Sequence, residues 1–297
     1  MGQRKGKQDN RQRYRCLNCH RQWQSPAQPQ RSRLKLWRQY IWQRQTAHDL
    51  AGRSGRCLDW VRTELGKISV DPILVTPQAA VFVADATFFR RDYGVCVFRL
   101  PHQGLNVYWR RVVSETIAVY RQARETLENQ GFQFLAVVLD GRPGIRAVFS
   151  DIPVQMCHFH QKAIVRRRLT NRPKLLAGQS LHRIAQTLGE TTEDTFTVEL
   201  ENWFNIHQQL LKERTVNPDT NRWWYTHRQL RAAYSSLKTN LPYLFTYQKY
   251  PNLNIPNTTN SLEGCFSNLK DLIGVHRGIS PGLRTQMINE ILNGKSP

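Results

Sequence analysis

At 297 residues the chain can bury one large core or two smaller ones. No apolar run approaches the roughly 18–20 residues that a membrane span needs, so a membrane protein is not expected. Lys and Arg outnumber Asp and Glu by 43 to 22, a formal net charge of +21, which points to a polyanionic partner and first of all to nucleic acid. A generally adhesive or ribosome-associated basic protein is the plainer reading of the same charge. Met1–Arg15 is basic and polar with no apolar stretch, so no secretory signal is expected. Six cysteines, most of them scattered, do not make a disulfide framework. The setting expected is the reducing cytoplasm, in association with the nucleoid.

Residues 1–33 are rich in Arg, Lys, Gln and Pro and offer little for a core. Within them lies Arg13-Tyr14-Arg15-Cys16-Leu17-Asn18-Cys19-His20-Arg21-Gln22-Trp23. Cys-x-x-Cys between basic and aromatic residues is one knuckle of a zinc ribbon, and Arg13 and Arg15 suit phosphate contacts. A structural zinc takes four ligands, however, and no second Cys-x-x-Cys precedes this one. His20, adjacent to Cys19, fits badly as a third ligand. A truncated or degenerate ribbon is therefore favoured over Zn²⁺ bound by Cys16 and Cys19.

Residues 34–66 carry helical spacing in Leu34, Trp37, Ile41 and Trp42. A glycine-containing turn, Gly52-Arg53-Ser54-Gly55, then leads to Arg56-Cys57-Leu58-Asp59-Trp60-Val61. This fits a helix-turn-helix with Ser54 capping the second helix and Arg53 and Arg56 facing DNA. Two packing helices with exposed arginines are the alternative. Val70–Gln78, with Pro72 and Pro77, reads as a linker or edge segment.

Beyond it the pattern turns to strands. Val81–Thr87, Tyr93–Leu100 and Asn106–Val113 are three, with Gly104 and Asn106 marking a turn. A helix over 114–130 closes at Gly131, and a further buried strand runs from Phe134 to Leu139. Hairpin-joined strands, a crossover helix and another strand describe an α/β mixed sheet. The region 79–170 forms the first part of this core, and Val154–Met156 leads into a basic helix. Residues 171–250 read as an all-helical block without a convincing strand, in which Trp223 and Trp224 are a helix-packing pair rather than a platform for unpaired bases. Residues 251–297 begin with an Asn/Pro/Thr-rich loop and continue as a helix bearing Leu262, Phe266 and Leu269.

Asp85 sits inside the first strand, Asp140 directly after a later one, and Glu263 on the late helix. A charge within a doubly buried strand must be paired, hydrogen-bonded or bound to metal. Three such carboxylates are what two-metal phosphoryl transfer requires, with two Mg²⁺ or Mn²⁺ ions about 3.5–4 Å apart. Taken one at a time, a strand-end Asp is commonly a turn residue, and Glu263 is an ordinary helix-surface acid.

Four stretches carry a resemblance: Val83-Ala84-Asp85-Ala86-Thr87, Leu139-Asp140-Gly141-Arg142-Pro143-Gly144-Ile145, Cys157-His158-Phe159-His160 and Asn257-Thr258-Thr259-Asn260-Ser261-Leu262-Glu263-Gly264. In this order they resemble the Mutator-like DDE transposases of bacterial insertion sequences, in the variant with a zinc-ribbon amino terminus. The resemblance covers about residues 80–285 and, more loosely, the amino-terminal segment. It implies a ribonuclease-H-like core interrupted by a helical insertion and preceded by a small helical DNA-binding region. Asp85, Asp140 and Glu263 would be the catalytic ligands of two metal ions. Cys157 and His160 match the family's Cys-x-x-His; two ligands are too few for zinc, so packing beside the metal-bearing strand is favoured. Lys270, two helical turns past Glu263, is either a phosphate contact or a solvated lysine. The implied partners are double-stranded DNA, as terminal inverted repeats and as target, and further copies of the chain on that DNA. The ribbon lacks its first cysteine pair and the chain stops soon after the glutamate helix, so both ends read as shortened.

Overall fold

In the computed structural model, which describes residues 2–8, 11–24, 29–71, 73–90 and 93–294, the basic amino terminus is a small sheet. Gly2–Gln8 (β1), Arg11–Cys16 (β2) and Gln22–Gln24 (β3) pair antiparallel in that order. Apolar alternation is missing here, which is why the sequence alone predicted no strand. Ladder hydrogen bonds and one cross-strand stack, Tyr14 on Trp23 with ring centroids 5.8 Å apart, hold it instead.

Three helices follow: α1 (Pro29–Ile41), α2 (Ala47–Ser54) and α3 (Leu58–Gly66). Leu36, Trp37, Tyr40 and Ile41 of α1 are buried, as are Leu50, Val61 and Leu65, whereas Leu34 is half exposed. A capping box starts α2: Thr46 Oγ1 accepts from the Asp49 N–H at 3.2 Å, and Asp49 Oδ2 accepts from the Thr46 N–H at 2.8 Å. Gly55 ends it in the left-handed region at φ 64°. The turn therefore lies later than expected. Ser54 does not cap the second helix; it belongs to the last turn of α2, and its hydroxyl donates to the Leu50 carbonyl at 2.6 Å. Cys57 occupies the amino-terminal cap of α3 without a side-chain bond.

The central sheet comprises β4 (Ala79–Arg90), β5 (Tyr93–Leu100) and β6 (Leu105–Val112), then β7 (Gln133–Leu139) after α4 (Ile117–Asn129), and β8 (Val154–Met156) after the single-turn α5 (Pro143–Arg146). Its order is β6-β5-β4-β7-β8, with β4, β5 and β6 antiparallel and β4, β7 and β8 parallel. The fold is thus α/β with a mixed five-stranded sheet. Phe82 and Ala84 lie on the face that packs on Tyr120, Ala123 and Leu127 of α4. Alternation puts Val81, Val83 and Asp85 on the other face, level with Val138 and, beyond it, Gln155.

The remaining elements are α6 (His158–Leu169), α7 (Leu176–Gln186), α8 (Glu193–Lys212), β9 (Arg214–Val216), β10 (Trp223–Tyr225), α9 (Arg228–Leu244), α10 (Thr246–Lys249), α11 (Asn260–Gly274) and α12 (Pro281–Leu292). Phe196, Leu200 and Trp203 of α8 share a second core with Leu181 of α7, Leu237 of α9 and Val165 of α6. Buried Gln155 joins this block to the sheet by donating to the Leu244 carbonyl at 2.8 Å and accepting from the Tyr247 N–H at 2.9 Å. The expected all-helical block contains a hairpin. Asn217 Oδ1 accepts from the backbone of Asp219 and Thr220 and sets the turn between β9 and β10. Trp223 and Trp224 stand on β10, about half exposed, so they are not a helix-packing pair.

Two compact units result. One gathers the residues up to Asp71 with Asp271–Ile291, and the other comprises Pro72–Lys270 with Leu292–Gly294. The stretch 251–297, read from sequence as one region, is divided between them. Pro72, expected in the linker, and Lys295–Pro297 lie outside the described residues.

Candidate metal centre

Every group of the centre belongs to the second unit. Asp85 comes from the middle of β4, where flanking valines and alanines leave its side chain 9% exposed. Oδ1 accepts from the Ala86 N–H at 2.8 Å, and Oδ2 lies 3.8 Å from His160 Nε2. Glu263 Oε1, from the first turn of α11, lies 3.7 Å from the same nitrogen. Among the described residues, Asp85, His160 and Glu263 form the group whose ligand atoms all lie within 4.8 Å of one another.

Backbone chemistry fixes these positions. The Cys157 N–H donates to the Leu139 carbonyl at 2.8 Å, which registers the start of α6 beside the end of β7. Cys157 Sγ accepts from the Thr259 N–H at 3.2 Å, and the His158 N–H donates to the Asn257 carbonyl at 2.9 Å. The Thr259 carbonyl then accepts from Leu262 and Glu263, forming the first turn of α11. On the far side, Asn106 of β6 donates to Cys265 Sγ at 3.7 Å. Cys157 therefore joins the loop before the glutamate helix to the end of the sheet that carries Asp85, while His160, one turn on, reaches the acids. Sequence reasoning treated this Cys-x-x-His as one packing feature; the structure divides it between two tasks.

Asp140 follows β7 and lies beside the group without joining it. Its Oδ1 accepts from the Arg142 N–H at 3.1 Å, and its Oδ2 is 3.3 Å from Arg142 Nε. Gly141 makes that turn possible. Its φ is 94°, and a Cβ there would collide with the Met156 thioether. A second acid unnoticed in the sequence stands nearby: Glu115, just before Thr116, the cap of α4. Its Oε1 accepts from Tyr120 Oη at 2.6 Å, and its Oε2 is 3.1 Å from Arg142 Nη2. Only its place ahead of a helix cap hinted that it could turn inward.

Burial pushes the Asp85 carboxyl up to about 7, against the pull of His160 and the Ala86 N–H, with Asp140 and Glu115 pushing the same way. Burial also raises Glu115. His160 is opposite in balance. Burial disfavours its charge, but the hydrogen bond and charge of Cys157, then Asp85 and Asp140, raise it to about 9. The imidazolium thus offsets charge that the buried acids cannot offset among themselves. Two carboxylates, one of them deeply buried, and an imidazole converging from three elements fit a hard or borderline divalent cation. Zinc at Cys157 and His160 has no such set, because the sulfur is engaged by Thr259 and lies outside the group.

In the first unit, Cys16 ends β2 and Cys19 lies in the turn that follows it. N–H groups of Cys19 and Asn18 hold the Cys16 thiol below its usual range. No cluster of three ligands includes either sulfur among the described residues. Arg13 and Arg15 lie on β2, partly buried, with Arg13 donating to Gln8 Oε1 at 3.2 Å. Arg53 is exposed in the last turn of α2. Arg56, expected on the second helix, is in the turn before it with its guanidinium 5.2 Å from the Trp60 ring. Lys270 is exposed on α11.

Compared with known proteins, the chain matches no protein-family model and no curated protein. None of its described helices is long and apolar enough to cross a membrane.

Proposed function

We propose that this protein is a DNA transposase of the Mutator-like DDE kind, acting through a metal-dependent ribonuclease-H-like core. The observation that carries the reading is the convergence of Asp85 and Glu263, distant in sequence, on one imidazole at a buried strand centre. A buried acid in that place needs a proton or a balancing cation; His160 supplies part of that balance in the metal-free chain, and a divalent ion would hold both carboxylates ionised. The sheet order and the helical block between β8 and α11 are compatible with such a core.

Asp85 and Glu263 would hold Mg²⁺ or Mn²⁺, with His160 beside them and Asp140 as the third carboxylate of a two-ion set. When bound, the ions would activate a water or 3′-hydroxyl and stabilise the departing oxygen. The chain's own part is positional. Cys157 and Thr259 hold the start of α11 against the sheet, keeping Glu263 opposite Asp85, and the burial of Asp85 limits access of bulk water to it. The net charge of +21, the arginines of β2 and the capped helix pair α2–α3 supply phosphate contacts for binding the ends of an insertion sequence. Target DNA and further copies of the chain complete the proposed reaction.

The test is strand cleavage of a duplex carrying an element end, in Mg²⁺ or Mn²⁺. End binding without cleavage would favour a catalytically silent DNA-binding descendant of a transposase. Cleavage indifferent to the end sequence would favour a general ribonuclease-H-like nuclease.

A further inference from the structure

Arg142 has two acidic partners at the edge of the centre and more than half of its side chain in solvent. Nε lies 3.3 Å from Asp140 Oδ2 and Nη2 lies 3.1 Å from Glu115 Oε2, while Nη1 donates to the Glu115 carbonyl at 3.4 Å. Glu115 itself is 6% exposed and braced by Tyr120 Oη at 2.6 Å. Both acids are therefore anchored, Glu115 by Tyr120 and Asp140 by the turn at Gly141, while the guanidinium between them is accessible. Both acids also bear on the centre, since Asp140 and Glu115 raise Asp85.

We propose that Arg142 is a positioning residue that latches Asp140, and that the phosphodiester of bound DNA releases the latch. Without DNA, Arg142 neutralises Asp140 and makes this carboxylate a poor ligand. With DNA present, the guanidinium turns to a phosphate oxygen, for which its planar fork is suited. Glu115 stays as the hinge that keeps the arginine at the edge of the site, and Asp140 becomes free to ligate. Metal loading at Asp140 is in this way coupled to substrate. The inference rests on the metal-dependent reading above and deepens it.

The experiment is a Mn²⁺ titration of the full chain without DNA, followed by calorimetry or by the paramagnetic signal of free Mn²⁺. Wild type, Arg142→Ala, Arg142→Lys and a control at an exposed arginine of α6, Arg167→Ala, are compared. The half-exposed guanidinium competes through screened charge pairs, so its loss should tighten Mn²⁺ binding about threefold. Arg142→Lys, which keeps the charge, should stay near wild type, and Arg167→Ala should not change it. In a second titration, an end duplex with a non-cleavable phosphate should tighten Mn²⁺ binding to wild type more than to Arg142→Ala. Equal Mn²⁺ affinity in wild type and Arg142→Ala, or weaker binding in the variant, overturns the latch while leaving the metal centre intact. If neither protein binds Mn²⁺, the metal-dependent reading fails and the latch fails with it.

Discussion

Asp85 shows at the scale of one residue why burial and charge together carry functional meaning. Its carboxyl is held up to about 7 by burial, so the metal-free protein gains nothing in stability from its charge. Asp85→Asn should abolish cleavage of an end duplex while leaving the metal-free melting temperature unchanged or higher. Thermal denaturation and a cleavage assay on the same preparation check both halves, and a strongly destabilised variant would argue for a structural acid. Cys157 allows a complementary test. Its sulfur is the acceptor for the Thr259 N–H, so Cys157→Ala leaves a buried donor unmet and should cost about 1–3 kcal/mol. It should also weaken Mn²⁺ binding by loosening Glu263, and Cys157→Ser should recover part of both losses. Unchanged stability and metal affinity in Cys157→Ala would remove Cys157 from the positioning role.

At the scale of the element, the helix pair α2–α3 depends on local chemistry. Thr46→Ala breaks the capping box at the start of α2 and should cost about 1 kcal/mol in chemical denaturation of the first unit. The turn after α11 contributes a pH dependence. His276 is buried with its ring 3.9 Å from that of Tyr40, and burial lowers its pKa below 6.5 against a backbone bond to Tyr40. The unfolded chain therefore takes up a proton near pH 6.5 that the folded chain refuses until lower pH. Stability should fall as pH drops from about 6.5 through the folded value, and His276→Phe should flatten that slope in melting curves between pH 5 and 7.

The same elements explain what the sequence could and could not disclose. β4, β5 and β7 announce themselves by β-branched and aromatic runs, and Gly131 correctly closes α4 at φ 97°. β1–β3 carry no apolar alternation, because their sheet is held by backbone pairing with almost no core, so composition concealed them. β9 and β10 are three residues each, too short for periodicity to register, and only the Asn-Pro-Asp-Thr turn could have betrayed the hairpin. Asp85 and Glu263 were readable as isolated acids in telling places. The entry of His160 into their group and the meeting of Glu115 with Arg142 are products of tertiary approach, whereas the contact of Arg142 with Asp140 is local, two residues along the chain.

For the whole molecule, the charge of +21 makes a quantitative demand. If 6–10 phosphates are neutralised on binding, duplex affinity should fall by about 10³–10⁵ between 50 and 200 mM salt, which a binding isotherm at several salt concentrations reads directly. A flat salt dependence would mean that the basic surface serves something other than the DNA backbone. The most direct measurement of the central claim is cleavage of a labelled duplex carrying an element end, by wild type and by Asp85→Asn, with Mg²⁺, with Mn²⁺ and with chelator. The account predicts strand breaks ending in a 3′-hydroxyl for wild type with either metal, none with chelator, and none for Asp85→Asn although it binds the duplex as tightly. Cleavage by Asp85→Asn at the wild-type rate, or by wild type in chelator, would contradict it.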